Sequence, residues 1–90
     1  MPEITLYSRT VCQPCTATKR KIKKEGVEEY LVEINVELPE NEHHAEHLRS
    51  LGYKESPVVM TSYGDEWSGF RPDLIMAFRD KVKAEAEGAE

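Results

Sequence analysis

Cysteine is scarce in this chain: Cys12 and Cys15 are the only two among 90 residues. That number excludes a disulfide-stapled scaffold, which needs several bridges in a chain this short. Long apolar runs are missing as well. None approaches the roughly 20 residues that a membrane-spanning helix requires. The opening, Met1-Pro2-Glu3-Ile4, has neither a basic start nor an extended apolar stretch. No secretory signal is expected there, and the expected location is cytoplasmic. Positive charge is in deficit, with 12 Lys and Arg against 17 Asp and Glu and a formal net charge of -5. General nucleic-acid binding is thereby disfavoured. Internal repeats and low-complexity linkers are absent.

What is present is an ordinary globular composition, 39% hydrophobic and 32% charged. Ninety residues suffice for one domain with one modest core and leave no room for a second. That domain is expected over residues 1–84. The acidic tail over residues 85–90 has nothing to bury and is expected to fray.

The elements read as strand, helix, strand, helix, strand, strand, helix. Ile4-Thr5-Leu6-Tyr7 alternates and is β-rich, so it is the first strand. Ser8-Arg9-Thr10 is a polar turn into the cysteines. A helix follows from about Pro14 to Glu25, with Pro14 tolerated in its first turn and Gly26 as its stop. Tyr30 to Val36 is the second strand. Pro39 with Glu40 and Glu42 opens a second helix that ends at Gly52. Pro57 to Thr61 is a short buried strand, Tyr63-Gly64-Asp65 a turn, and Glu66-Trp67-Ser68 its partner strand. Pro72 starts the last helix, whose Leu74, Ile75, Phe78 and Val82 share one face. This order implies an α/β layer, a four-stranded mixed sheet flanked by three helices. The crossover rule sets the start of the first helix near the end of the first strand.

Cys12-Gln13-Pro14-Cys15 therefore lies between a strand and a helix, the context in which a C-x-x-C pair has redox meaning. One helical turn brings the two side chains together within disulfide range. A structural bridge closing so small a loop would constrain the unfolded chain little. The plain alternatives are half of a zinc site or two inert core cysteines. A structural zinc site needs about four ligands, and there is no second cysteine pair. No metal is expected. Cys12, at the helix start, has free backbone N–H groups nearby that stabilise a thiolate, and Arg9 adds positive charge. Cys15, one turn in, is expected to be buried and less reactive. Cys12 is thus expected to attack a substrate disulfide and Cys15 to resolve the mixed disulfide.

A second motif, Trp67-Ser68-Gly69-Phe70-Arg71-Pro72, is far more specific. Together with the run from Cys12 to Arg20 it resembles the NrdH-redoxin family, glutaredoxin-like proteins with thioredoxin-like activity. The resemblance spans about Ile4 to Phe78. It implies a thioredoxin-like fold and a disulfide oxidoreductase that donates electrons to class Ib ribonucleotide reductase, and so to deoxyribonucleotide synthesis. It also implies recharging by thioredoxin reductase rather than by glutathione. No cofactor is expected on this chain; NADPH and FAD enter only through the reductase partner. A monomer is expected. Ser56-Pro57 matches the family's cis-proline, whose backbone is expected to hydrogen-bond an extended substrate segment. Arg9, Gln13, Pro14, Ser56, Pro57, Trp67, Ser68, Gly69 and Phe70 are the expected partner-binding residues. Trp67 is weighed mainly as packing, with an indirect effect on substrate choice. The family commonly carries Val or Met and then Gln between the cysteines; Gln13-Pro14 departs from this. Proline before the second cysteine is similar to thioredoxins. Thioredoxin and glutaredoxin potentials differ by roughly 40–70 mV, about 2–3 kcal/mol for two electrons, and the reducing end is expected here.

The alternatives differ in chemistry. A glutathione-dependent glutaredoxin would carry a Thr-Val-Pro and Gly-Gly-x-Asp arrangement, where this chain has Ser56-Pro57-Val58 and Trp67-Ser68-Gly69-Phe70. An iron–sulfur or metal carrier would use one cysteine with bound glutathione, and a non-catalytic module would lose a cysteine. Of the remaining features, Lys19, Arg20, Lys21, Lys23 and Lys24 make the first helix basic. They suit its C-terminal dipole, with a docking patch as the second reading. His43, His44 and His47 with Glu46 read as a solvated helix face, lacking H-E-x-x-H order. Tyr7 is expected near the rim of the site or in packing, and Arg71 on nearby carbonyls or a partner carboxylate.

Overall fold

In the first strand, β1 (Ile4–Ser8), residues 4, 6 and 8 are buried and the two between them half-buried. Such alternation marks a strand covered on both faces, more heavily on one. The computed structural model describes residues 1–88. β1 sits inside a four-stranded sheet of order β2-β1-β3-β4, completed by β2 (Leu31–Asn35), β3 (Val58–Thr61) and β4 (Glu66–Ser68). β1 runs parallel to β2, with Ile4 opposite Leu31 and Ser8 opposite Asn35. A parallel pair needs a crossover, and α1 (Gln13–Lys24) supplies it. β3 is antiparallel to both β1 and β4, with Leu6 opposite Val59 and Val59 opposite Trp67. Two further helices, α2 (Glu42–Ser50) and α3 (Pro72–Gly88), complete the expected thioredoxin-like order.

One face of the sheet holds the core. Ile4, Leu6, Val59 and Trp67 from the strands meet Ile22 of α1 and Ile75, Phe78 and Val82 of α3. Phe78 is 1% exposed and lies edge-on to Tyr30 and tilted against Tyr63. Burying such a ring contributes roughly 1.5–3 kcal/mol. On the other side, Tyr7 and Val58 line a small pocket with Ala45 and Leu48 of α2. Leu74, expected on the inner face of the last helix, is half-buried and packs at the edge of the core.

Most boundaries fall within a residue of the sequence reading, and the differences that matter have local reasons. A 3-10 turn over Glu28–Tyr30 precedes β2, closed by the Tyr30 N–H on the Val27 carbonyl, so the strand starts at Leu31. Pro39–Asn41 is also a 3-10 turn rather than the first turn of α2. Asn41 Nδ2 donates to the Asn35 carbonyl at 2.8 Å, tying that turn to the end of β2. α2 ends at Ser50, short of the expected stop, and Gly52 follows with a φ of 89°. α3 continues through Gly88, past the expected boundary at residue 84. Tyr63 in the β3–β4 turn donates its hydroxyl to the Glu85 carboxylate, and Lys81 pairs with Asp65 of the same turn. Residues 85–88 of the stretch expected to fray are helical, with Glu85 bonded to Tyr63; residues 89 and 90 of that tail lie outside the described residues.

Candidate active site

β1 ends at Ser8, and residues 9–12 carry the chain over the top of the sheet into α1. Cys12 is the residue that caps this helix. Its backbone is extended, at φ -155° and ψ 101°, and its Sγ accepts the Cys15 N–H at 3.2 Å. The first N–H groups of a helix have no intrahelical acceptor, so a sulfur here satisfies one of them. Cys12 and Cys15 are joined as a disulfide, with Cα atoms 5.2 Å apart. The two sulfurs differ in surroundings. Cys15 is 2% exposed, whereas Cys12 is half-buried and lies in an open groove with Thr10, Val11, Gln13 and Arg20. Pro14 stands in the first turn, where its missing N–H costs nothing, and its carbonyl accepts the Thr18 hydroxyl at 2.7 Å.

The expected partner-binding residues fall into two connected groups and one that is turned away. Arg9 Nε donates to Ser56 Oγ at 2.8 Å, which joins the turn before the cysteines to the cis peptide of Ser56-Pro57. The Gly69 N–H donates to the Pro57 carbonyl at 2.8 Å, joining the Trp67–Pro72 motif to the same peptide. Pro57 differs from expectation in what it offers. Its ring is fully buried, it has no N–H, and its carbonyl is occupied by Gly69. The open main-chain groups are those of Ser56, whose N–H and C=O have no hydrogen-bond partner among the described residues. Phe70 is exposed and Ser68 and Gly69 are half-buried. Trp67 is turned inward. It is 6% exposed, packs with Val59, and its Nε1 has no acceptor among the described residues. Arg71 forms a two-point pair with Asp73, which holds the Asp73 carboxyl below the usual carboxylate range.

Sequence reasoning missed the carboxylates beside the site. Glu37 Oε1 accepts the Thr10 N–H at 2.6 Å, two residues before Cys12. That hydrogen bond, opposed by a smaller desolvation and helped by the Thr10 side chain and the Arg9 charge, lowers the Glu37 pKa. Glu33 accepts the buried Ser8 hydroxyl at 2.8 Å and pairs with Lys19 at 3.2 Å. The one available signal was topological: the end of a parallel strand must lie beside the loop that leaves its neighbour. Of the basic run on α1, Lys19 pairs with Glu33 and Lys21 with Glu25, whereas Arg20, Lys23 and Lys24 form no ion pair among the described residues. The His43 and His44 rings lie tilted against each other with centroids 4.0 Å apart, and His44 in turn tilts against Tyr7 at 5.7 Å. No group of three or more metal-capable side chains occurs among the described residues.

A half-buried sulfur capping a helix, bridged to a buried partner one turn on, beside a cis-proline peptide, on a thioredoxin-like sheet: this defines a thiol–disulfide oxidoreductase. Comparison with known proteins agrees. The family model described as Glutaredoxin matches residues 4–64. The glutaredoxin-like protein NrdH of Salmonella typhimurium is 47% identical over 73 residues, covering 80% of this chain and 83% of that protein. The NrdH of Escherichia coli K12 is 42% identical over the same shares. A solved structure of the glutaredoxin-like NrdH-redoxin from Escherichia coli superposes with a TM-score of 0.73 at 42% identity, covering 83% of this chain and 92% of that one. That Escherichia coli protein is described as having a thioredoxin-like activity profile. The chain belongs to the glutaredoxin family, and within it to the glutaredoxin-like NrdH redoxins. No helix among the described residues is long and apolar enough to cross a membrane.

Proposed function

We propose that this protein is a cytoplasmic, monomeric electron carrier that thioredoxin reductase reduces and class Ib ribonucleotide reductase oxidises. The observation that carries the chemistry is the asymmetry of the pair. Cys12 is half-buried on an open groove and its Sγ accepts a helix N-terminal N–H, whereas Cys15 is enclosed. In the reduced protein the same N–H and the positive helix end stabilise a Cys12 thiolate.

That thiolate attacks one sulfur of the acceptor's disulfide. A mixed disulfide forms and the acceptor's other sulfur leaves as a thiolate, which takes up a proton. The Cys15 thiol then loses its proton and attacks Cys12 Sγ. The Cys12–Cys15 bond forms, the mixed disulfide breaks, and the acceptor's second sulfur is released as a thiol after protonation. Two electrons and two protons have passed to the acceptor. The reductase returns the two electrons from NADPH through its FAD, the hydride supplying one proton and solvent the other, so this chain needs no cofactor of its own. The open N–H and C=O of Ser56 suit an extended segment of the partner laid beside the disulfide. Arg9, Gln13, Pro14, Ser68, Gly69 and Phe70 surround that path.

The test is a coupled assay. NADPH with thioredoxin reductase is compared with NADPH, glutathione and glutathione reductase, using a class Ib ribonucleotide reductase as acceptor. Turnover is expected with the first system, and loss of that turnover in Cys12→Ser. Efficient turnover with glutathione alone would replace this reading with that of a glutathione-dependent glutaredoxin.

A further inference from the structure

The loop that delivers Cys12 to the start of α1 has almost no packing of its own. Arg9, Thr10 and Val11 are all exposed, Val11 at 91%. Yet Cys12 caps the helix only with an extended backbone and its sulfur turned back onto the Cys15 N–H. Polar ties must therefore fix the loop.

Thr10 carries two of them, one to the last residue of β2 and one to the segment just after it. Its N–H donates to Glu37 Oε1 at 2.6 Å, and its Oγ1 accepts Asn35 Nδ2 at 3.2 Å. The receiving segment is itself braced. The Glu37 N–H donates to Asn35 Oδ1 at 2.9 Å, the Asn35 carbonyl accepts Asn41 Nδ2 at 2.8 Å, and the Val36 N–H donates to the Ser8 carbonyl at 2.9 Å. The backbone that carries Glu37 is thus fixed, and a hydrogen bond from a backbone N–H to a carboxylate is of the stronger, charge-assisted kind. Arg9, whose charge also lowers the Glu37 pKa, is occupied at its Nε by Ser56.

We propose that Glu37 is a positioning residue for Cys12: by holding the Thr10 N–H it fixes the loop that seats the Cys12 sulfur on the helix N-terminus. The proposal deepens the dithiol reading of this site. Without the tie, the loop gains freedom and Sγ spends less time against the N–H groups that stabilise its thiolate. The acceptor oxygen is what matters. The negative charge itself opposes a nearby thiolate and is offset by Arg9.

The test follows the pH profile of Cys12 alkylation by iodoacetamide in the reduced protein, with mass spectrometry to assign the cysteine. Amide exchange at Thr10 is measured alongside. Neither measurement uses a partner enzyme, so the result stands apart from whether thioredoxin reductase or glutathione is the reductant. In Glu37→Ala, Thr10 exchange is expected to quicken by about tenfold or more. The alkylation midpoint is expected to rise by roughly half a pH unit, about a threefold loss of thiolate below the midpoint. Glu37→Gln keeps a carbonyl oxygen and is expected to keep Thr10 protected, with a midpoint equal to or below that of the unaltered protein. An unmoved or lowered midpoint in Glu37→Ala, whatever its melting temperature, overturns the proposal. So does a raised midpoint in Glu37→Gln, which also decides the matter should the alanine variant fail to fold.

Discussion

The N–H of Gly69 donates to the carbonyl oxygen of Pro57 at 2.8 Å, so the Trp67–Pro72 motif is bonded directly to the cis-proline peptide beside the disulfide. The bond depends on backbone at Gly69 that a side chain disfavours. Its φ is 81°, and an added Cβ would stand 3.2 Å from Glu55 Oε2. The Glu55 carboxylate can swing aside, but the φ cannot relax without moving the N–H. Left-handed backbone costs a residue with Cβ roughly 1–2 kcal/mol. Gly69→Ala is expected to lower stability by about 1 kcal/mol, a fall of roughly 4–8 °C in Tm for a domain of this size. Equal melting temperatures would contradict it.

Cys15→Ser should separate the two halves of the exchange. Cys12 remains on the surface and able to attack, but nothing stands behind it to release the partner. A disulfide-linked complex with the acceptor is expected to accumulate, visible on a non-reducing gel and dispersed by dithiothreitol. Cys12→Ser is expected to give none. A linked complex formed by Cys12→Ser through Cys15 would reverse the assignment of attacker and resolver.

Tyr63 gives the protein an alkaline limit. Its hydrogen bond to Glu85, with burial and the Glu85 charge adding to it, pushes the phenol up to about 12 from its ordinary value near 10. The folded state therefore holds a proton that the unfolded chain releases. Stability from this contact is complete below pH 10 and is lost as pH rises from there to about 12. Denaturation midpoints followed over that window should fall less steeply in Tyr63→Phe than in the unaltered protein. Parallel curves would show that the contact contributes nothing in solution.

Glu25 acts at the acid end. A hydrogen bond from Lys21, working against burial and joined by Arg79, holds its carboxyl below the usual carboxylate value of about 4.5. The pair and its Arg79 extension link α1 to α3. Here the unfolded chain takes up the proton first. The stabilisation is present above about pH 4.5 and is lost as pH falls through the lower, folded value. Glu25→Gln should reduce the slope of stability against pH below 4.5 and lower stability at neutral pH. A slope that does not change would remove this carboxylate from the acid response.

Much of this was legible in the chain. The alternation of Ile4 to Tyr7, the spacing of Cys12 and Cys15, Gly26 after a helical run and the apolar face from Ile75 to Val82 are all local patterns. Each was strong enough to survive folding unchanged. What escaped was non-local. Glu37 reads as one more acid in an acidic chain until β2 lies beside β1 and brings it onto Thr10. Pro57 read as a donor of open backbone, because its carbonyl's partner, Gly69, lies in another segment. Pro39 carries the usual signal for a helix start, and the signal was obeyed only as a 3-10 turn, since Asn41 is drawn back to Asn35. The tail was judged by its composition, whereas Tyr63 reaches Glu85 from a turn that the sequence sets 22 positions away.

The same turn governs where the described chain ends lie. Glu3 exchanges hydrogen bonds with Ser62, and Tyr63 holds Glu85, so the first and last parts of the described chain meet beside the β3–β4 turn. The cysteines follow the opposite end of β1. A flexible tether, a fluorophore or an electrode surface attached at either end would therefore hold the molecule by its base, leaving the dithiol facing outward and free to trade electrons.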